Sequence, residues 1–151
     1  MGLAEWSLGY PDKALQHAQD GVELAQHLDD PFSVAFSNDI ASFLDQLLGD
    51  AEVALEKANK AIKLATEKGF PYWDGIGRVM QGYGEAIRDP TQSKINHFRD
   101  QIEHHRSVGT ELFAPYFLTL LGEVALKADQ ADECLKALEE AETILDRTGE
   151  R

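Results

Sequence analysis

Cysteine is almost absent from this sequence, and long hydrophobic runs are missing altogether. The single cysteine, Cys134, has no second cysteine with which to form a disulfide, so the chain suits a reducing compartment. No apolar run reaches the roughly 18 residues that a membrane-spanning helix needs, and the first residues lack the pattern of a signal peptide. We therefore expect a cytoplasmic protein without a membrane-spanning helix.

Basic residues are also few. The chain has 14 lysines and arginines against 27 aspartates and glutamates, which gives a net charge of −13. Double-stranded nucleic acid and anionic membranes need a basic protein surface, so neither is an expected partner. With 43% apolar residues, a chain of 151 residues can form the core of one domain.

What the sequence does contain is a helical pattern, clearest in residues 48–69. Asp50 follows a glycine and is a good N-cap, and Gly69 is a good C-terminal stop. Between them, small residues recur along one helical face at Ala51, Ala54, Ala58 and Ala61. A face of alanines allows another helix to approach closely.

This unit recurs every forty residues. Equivalent positions are found at the turns (Gly9, Gly49, Asp89, Asp129), at the helix ends (Asp29, Gly69, Gly109, Gly149) and in the helices (Ala14, Ala54, Lys94, Cys134). A fixed period of roughly 20–50 residues is typical of a solenoid of stacked helical pairs. We predict one repeat domain over 1–151, with repeats at about 1–29, 30–69, 70–109 and 110–149, the first lacking most of its first helix. No β-alternating segment interrupts it.

Small residues also recur where the helices of each pair would cross. They are Ser42, Gly82 and Gly122 in the first helices, and Ala14, Ala54, Cys134, Gly21, Ala61 and Ala141 in the second. This favours a tetratricopeptide-like repeat, although that unit is usually about 34 residues long. A HEAT-like repeat matches the period better, but its proline and charge pattern is weaker here. The predicted fold is an all-α, right-handed superhelical solenoid of tetratricopeptide-like helical hairpins with a 40-residue period.

Five segments carry a family resemblance: LGYPDKAL (8–15), DPFS (30–33), KGFPYW (68–73), PYFL (115–118) and RTGER (147–151). They resemble the C-terminal tetratricopeptide regions of large bacterial signalling proteins. Those proteins join a class III adenylate/guanylate cyclase, a protein kinase or a DNA-binding domain to a STAND-type ATPase module and then to such repeats. The resemblance implies a sensor or scaffold region. It places no cyclase or ATPase site in this chain, because the motifs of those sites have no matching residues here.

The third repeat departs from the pattern, since Asp89 and Pro90 replace the turn glycine and Lys94 replaces the crossing alanine. Solenoids need polar caps at their ends, and neither end of this chain supplies an obvious one. We therefore expect the chain to be part of a longer protein, or two copies to stack end to end as a homodimer.

Candidate catalytic and metal-binding residues are weak. His97, His104 and His105 share one predicted helix with Glu103, but metal sites usually combine ligands at i, i+4 or from different elements. Cys134 occupies a crossing point and is expected to be buried and inert. The glycines of residues 75–84 lack the strand and the lysine of a phosphate-binding loop, and are expected to allow close helix contact. We predict no enzyme activity, no cofactor and no metal.

Binding is the remaining function. In a tetratricopeptide superhelix the first helix of each pair lines the concave groove. The residues predicted to line it for a partner are Asp39, Phe43, Gln46, Val79, Tyr83, Tyr116, Thr119 and Glu123, with Phe36 and Ile76 beside them. The apolar ones could instead fill the core between helical pairs. Tyr72 and Trp73 form a second candidate site, and an Asp39→Lys variant is expected to keep its stability while partner binding changes.

Two functions stay open. The first is a regulatory scaffold that binds a peptide, a partner protein or another domain of the same parent chain. The second is a small-molecule effector sensor, as the resemblance to STAND-type regulators implies. Ligands that stabilise the folded chain would distinguish the second from the first.

Overall fold

A computed structural model describes residues 2–109 and 111–149 of the chain, and all regular structure within them is helical. The helices are α1 (Gly2–Ser7), α2 (Pro11–His27), α3 (Pro31–Leu47), α4 (Ala51–Lys68), α5 (Pro71–Arg88), α6 (Gln92–Ser107), α7 (Ala114–Lys127) and α8 (Ala131–Thr148). The predicted all-α class is confirmed. No described helix is long and apolar enough to cross a membrane. The predicted starts at Met1 and Thr110, and the last two residues of the resembling segment 147–151, lie outside the described residues.

The predicted helix caps are present at two starts. The backbone N–H of Ser33 donates to Asp30 Oδ2 at 2.9 Å, and that of Val53 donates to Asp50 Oδ1 at 3.1 Å. An aspartate at this position satisfies one of the N–H groups that the first helical turn leaves without a partner. Asp30 and Asp50 therefore set the beginnings of α3 and α4.

The predicted helix ends also adopt the expected backbone. Asp29, Gly69, Gly109 and Gly149 have positive φ values of 51°, 73°, 90° and 72°. In this left-handed conformation, a residue after the last turn lets backbone N–H groups return to the free carbonyl groups of the helix. Gly69, for example, donates to the carbonyl of Ala65.

The beginning of α7 differs from the prediction, which placed the fourth pair directly after Gly109. The helix starts only at Ala114, after Phe113 with a left-handed φ of 66°. Pro115 lies in the first turn of α7, where its missing N–H costs nothing and its ring restrains the residue before it. The chain therefore needs a longer connection here than at the other turns.

The helices fall into two compact units, Met1–Gln81 and Gly82–Arg151, with α5 passing from the first to the second. In the first unit α3 packs along α4, and Leu44 is fully buried with alanines of α2 and α3. In the second unit α7 packs along α8, and its largest buried side chains include Phe98, Phe117 and Leu121. Each unit thus has an apolar core.

Small residues allow the close helix contacts within each unit. A Cβ atom added to Gly77 would lie 2.8 Å from Ile62 Cγ1 and 3.3 Å from the Ala58 carbonyl oxygen. One added to Gly82 would lie 3.0 Å from the ring of Phe98. The predicted close contacts of these glycines are therefore confirmed.

Two of the predicted crossing residues behave differently. Gly21 has no other group within 4 Å of a Cβ built on it, so no helix packs closely there. Cys134 approaches Gly122 as predicted, with its Sγ 3.4 Å from an added Cβ, but it is partly exposed and not buried. The expectation of a buried Cys134 was wrong because the outer side of α8 is open.

An ion-pair network joins α6 to α8 in the second unit. Arg99 contacts Glu133 at 2.8 Å and Glu140 at 3.1 Å, and Arg106 contacts Glu140 at 2.7 Å. All four side chains are partly buried, and a shared carboxylate between two guanidinium groups is worth more than an isolated surface pair. The network aligns the second helices of the last two predicted pairs.

The close contact at Gly77 generates a stability prediction. Gly77→Ala should lower the free energy of unfolding by about 1–3 kcal/mol, because the new methyl group overlaps Ile62 and the α4 backbone. Gly21→Ala is the matched control, since it lies within a helix and meets open space. It should raise the stability by up to about 1 kcal/mol through helix propensity.

Urea denaturation of both variants, followed by circular dichroism, measures these changes. A Gly77→Ala protein as stable as the Gly21→Ala protein would show that α4 and α5 are not held as closely as described.

Candidate functional site

The residues predicted to line a groove are divided between the two units. Asp39, Phe43, Gln46, Tyr72, Trp73 and Val79 belong to the first unit, and Tyr83, Tyr116, Thr119 and Glu123 to the second. Each unit therefore has its own candidate surface.

Four of these residues are buried, which corrects the expectation that their side chains face a partner. Asp39, Phe43, Val79 and Tyr83 are at most 5% exposed. They lie on the sides of α3 and α5 that pack against other helices of their units. For Phe43, and for the neighbouring Ile76, the alternative that they fill the core is right.

Asp39 is the most unusual of them. Its side chain is fully buried, and neither carboxylate oxygen has a hydrogen-bond partner among the described residues. A Cβ atom added to Gly77 of α5 would lie 3.3 Å from Asp39 Oδ1, so this oxygen faces helix backbone and not a donor. Burial of an ionised carboxylate without a partner is very costly. Asp39→Lys is therefore expected to destabilise the folded chain, in contrast to the expectation from the sequence.

The electrostatics around Asp39 follow from this burial. Loss of solvent raises the pKa of Asp39 well above its usual range, and the nearby negative charge of Asp74 raises it further. Asp74 itself accepts hydrogen bonds from Thr66 at 2.6 Å and from Arg78 at 2.6 Å. Asp39 therefore keeps its proton to higher pH in the folded unit than in the unfolded chain, whereas Asp74 accepts hydrogen bonds from two side chains.

A partly exposed aromatic cluster lies at the beginnings of α3 and α5, and we name it the aromatic surface. It consists of Phe32, Phe36, Phe70, Tyr72 and Trp73. The ring of Trp73 lies 5.1 Å from that of Phe36, 5.8 Å from that of Phe32 and 4.7 Å from that of Tyr72. Phe32 is 49% exposed and Phe36 is 42% exposed. Mutual ring contacts thus hold the side chains in place, while Phe32 and Phe36 remain open to a partner over part of their surface.

The second unit has a smaller candidate surface, which we name the tyrosine–glutamate surface. Tyr83 of α5 donates its hydroxyl to Glu123 Oε2 of α7 at 3.3 Å. Burial raises the pKa of Tyr116, and the neighbouring Tyr83 and Glu123 raise it further, so all three side chains lie close together. Thr119 and Glu123 are exposed on the same helix. The structure therefore brings together predicted residues from two helices.

The remaining predicted residues belong to neither of these two surfaces. Gln46 is partly buried near the end of α3. His97 and His104 are exposed, whereas His105 is fully buried with its Nε2 3.4 Å from the Leu112 carbonyl oxygen. Burial lowers the pKa of His105. Among the described residues, no three histidine, cysteine, aspartate or glutamate side chains are grouped as a metal site would require.

No protein-family model, curated protein or solved structure matches the chain. The candidate surfaces therefore rest on geometry alone. Reasoning from the sequence missed Phe32 and Phe70 as members of the aromatic surface. The sequence signal for both was their position next to a proline. Phe32 directly follows Asp30 and Pro31, and Phe70 directly precedes Pro71, Tyr72 and Trp73.

The buried Asp39 gives a prediction with a defined pH dependence. The unfolded carboxyl group loses its proton near pH 3.9, whereas the folded one keeps it to higher pH because its pKa is raised. The contribution of Asp39 to stability therefore falls as the pH rises above about 4, by up to about 1.4 kcal/mol per pH unit, until the folded pKa is passed. Asp39→Asn removes this loss. It should be more stable than the natural protein at pH 7 by about 1 kcal/mol or more.

Urea denaturation at several pH values between 4.5 and 8 tests this expectation. Asp100→Asn, at an exposed position of α6, controls for the loss of one negative charge. A stability difference between Asp39→Asn and the natural protein that does not grow with pH would contradict the raised pKa.

Proposed function

We propose that the chain is a non-catalytic protein-interaction module that binds a peptide or a helix of a partner. The aromatic surface of the first unit carries this proposal. Large aromatic side chains dominate the binding energy of protein interfaces, and a cluster of them on a surface marks an interaction site more often than a single exposed residue does.

The proposed architecture is a tetratricopeptide-like solenoid with a forty-residue period. Three helices, α2, α4 and α8, begin at Pro11, Ala51 and Ala131, which are forty and eighty residues apart. A buried small residue recurs at Gly2, Ser42, Gly82 and Gly122 with the same spacing. Both regularities support stacked helical pairs, in which the first helices supply the binding face.

Chemistry of the aromatic surface favours an apolar anchor on the partner. Phe32 and Phe36 are its most exposed rings, and the carboxylate of Asp74, which follows Trp73 in the chain, is already paired with Arg78. A partner would therefore gain most by burying a hydrophobic side chain against Phe36 and Trp73. The tyrosine–glutamate surface would add a hydrogen-bonding contact of its own.

We further propose a regulatory role in a bacterial cytoplasmic signalling protein, on the resemblance of the five segments named above. In that arrangement the bound element is a partner protein or another domain of the same parent chain. The module itself would then position that element and take no part in chemistry.

Photo-crosslinking in the source cells tests the proposal. A benzoylphenylalanine placed at Phe36 should give a defined protein adduct, and Trp73→Ala in the same protein should reduce its yield, because Trp73 holds the Phe36 ring. The matched control carries the crosslinker at Leu24, an exposed apolar position on α2.

Adducts of equal yield from positions 36 and 24 would argue against a specific aromatic surface. A metabolite that raises the melting temperature, with no adduct at position 36, would instead favour the effector-sensing alternative.

A further inference from the structure

Two helix sides meet along one line in the first unit. On α3, Phe32, Phe36 and Asp39 are spaced at i, i+4 and i+7, so they lie on one side of the helix. On α5, Trp73 and Gly77 are four positions apart and share a side in the same way. We name the contact between these two sides the α3–α5 seam.

The α3–α5 seam changes from aromatic to acidic along its length. At its beginning, the ring of Trp73 lies 5.8 Å from that of Phe32 and 5.1 Å from that of Phe36. One helical turn further along, Asp39 Oδ1 lies 3.3 Å from a Cβ atom built on Gly77. The two rings that α3 contributes to the aromatic surface are thus followed directly by a fully buried carboxyl group.

Ionisation of Asp39 is costly while the seam is closed. Neither of its carboxylate oxygens has a hydrogen-bond partner among the described residues. The backbone N–H groups in the middle of α5 are used within the helix, so the backbone at Gly77 offers no donor. An ionised carboxylate loses far more solvation free energy in such surroundings than a protonated carboxyl group does. Ionisation therefore favours an arrangement that admits water to the seam.

The groups that face Asp39 from α5 add to this preference. The like charge of Asp74 raises the cost of ionising Asp39, although Asp74 is itself paired with Arg78 at 2.6 Å. Burial raises the pKa of Tyr72 from its usual value of 10, so this neighbour stays uncharged through the neutral range. No group of α5 thus supplies Asp39 with a counter-charge among the described residues.

The side of α4 that closes the seam is apolar. Ile62 Cγ1 and the Ala58 carbonyl oxygen are the atoms of α4 that approach Gly77 most closely. The ammonium group of Lys57 on the same helix is paired with Asp45, further along α3, at 2.6 Å. Neither α4 nor α5 therefore stabilises a charge on Asp39.

We propose that the proton on Asp39 controls the aromatic surface. With the proton bound, the α3–α5 seam is closed and the rings of Phe32, Phe36 and Trp73 are in contact. When the proton is lost, α5 separates from α3 at this end, water reaches the carboxylate, and the ring contacts across the seam are lost. Weaker partner binding at high pH would follow, and this consequence alone rests on the function proposed above.

Fluorescence of Trp73 measures the opening of the seam. The chain has two tryptophans, so a Trp6→Phe background leaves Trp73 as the only reporter. Quenching by acrylamide is followed from pH 4.5 to 9, with far-ultraviolet circular dichroism at each pH. The ratio of open to closed seam should rise by up to about tenfold per pH unit, until the pKa of Asp39 in the closed seam is passed. Helix content should stay constant.

Two variants in the same background assign this change to Asp39. Asp39→Asn cannot ionise and should remove the pH dependence of quenching, whereas Asp100→Asn, at an exposed position of α6, should retain it. An equal pH dependence in Asp39→Asn, or constant quenching of Trp73 over the whole range, would overturn the proposal. Loss of helix content in step with the change in quenching would also overturn it, because the whole unit would then unfold.

Hydrogen exchange followed by mass spectrometry measures the same opening with Trp6 in place. After correction for the intrinsic pH dependence of exchange, protection of residues 71–78 should fall as the pH rises, whereas that of 114–127 should not. Asp39→Asn should keep the protection of the first segment constant. An equal fall in both segments would contradict a local seam.

Crosslinking from position 36 separates this inference from the proposed function. In cell extract buffered at pH 6 and at pH 8, the adduct yield should be lower at pH 8 for the natural sequence and equal at both values for Asp39→Asn. An equal loss of adduct in both chains would overturn the link between Asp39 and binding. Absence of any adduct, with the pH-dependent quenching of Trp73 intact, would support the proton-controlled seam and contradict the interaction function.

Discussion

Close approach of helix backbones at small residues is the constraint on which the rest of the structure depends. Four alanines of α4, at positions 54, 58, 61 and 65, are buried and leave little side-chain volume between this helix and its neighbours. Gly77 allows the same close approach from the side of α5. Packing of this kind gains dispersion contacts over whole helix faces, while each position tolerates almost no increase in volume. Small side chains therefore determine the packing of the helix pairs more than large side chains do.

This tight packing also explains the polar side chains inside the first unit. Asn38, Asp39 and Asp45 are all buried on α3, and each is accommodated in a different way. Asn38 donates to the Val34 carbonyl oxygen of its own helix, and Asp45 is paired with Lys57 of α4 at 2.6 Å. Asp39 lies against the backbone at Gly77 and has no hydrogen-bond partner among the described residues, so loss of solvent raises its pKa and favours the uncharged form. Close backbones thus exclude the water that would otherwise hydrate this carboxylate.

Local features of the fold could be predicted from the sequence because local chemistry determines them. Asp30 and Asp50 cap helices through hydrogen bonds three residues away, and the left-handed residues at 29, 69, 109 and 149 end them. Contacts between elements could not be predicted in the same way. Whether Asp39 is buried or exposed depends on which side of α3 meets a neighbouring helix. The pairing of Arg99 with Glu133 and Glu140, which lie 34 and 41 positions later, depends on helix packing in the same way. A one-position error in the helical phase turns a buried side chain into an exposed one.

The candidate surfaces illustrate the same difference. Tyr83, Tyr116 and Glu123 were predicted together because they occupy corresponding sides of first helices. Within the second unit Tyr83 is hydrogen-bonded to Glu123, and both lie near enough to Tyr116 to raise its pKa. The aromatic surface, by contrast, was predicted only in part. Phe32 at the beginning of α3 contacts Phe70 and Trp73 at the beginning of α5. That contact depends on which helix sides meet, and the order of residues along either segment does not specify it.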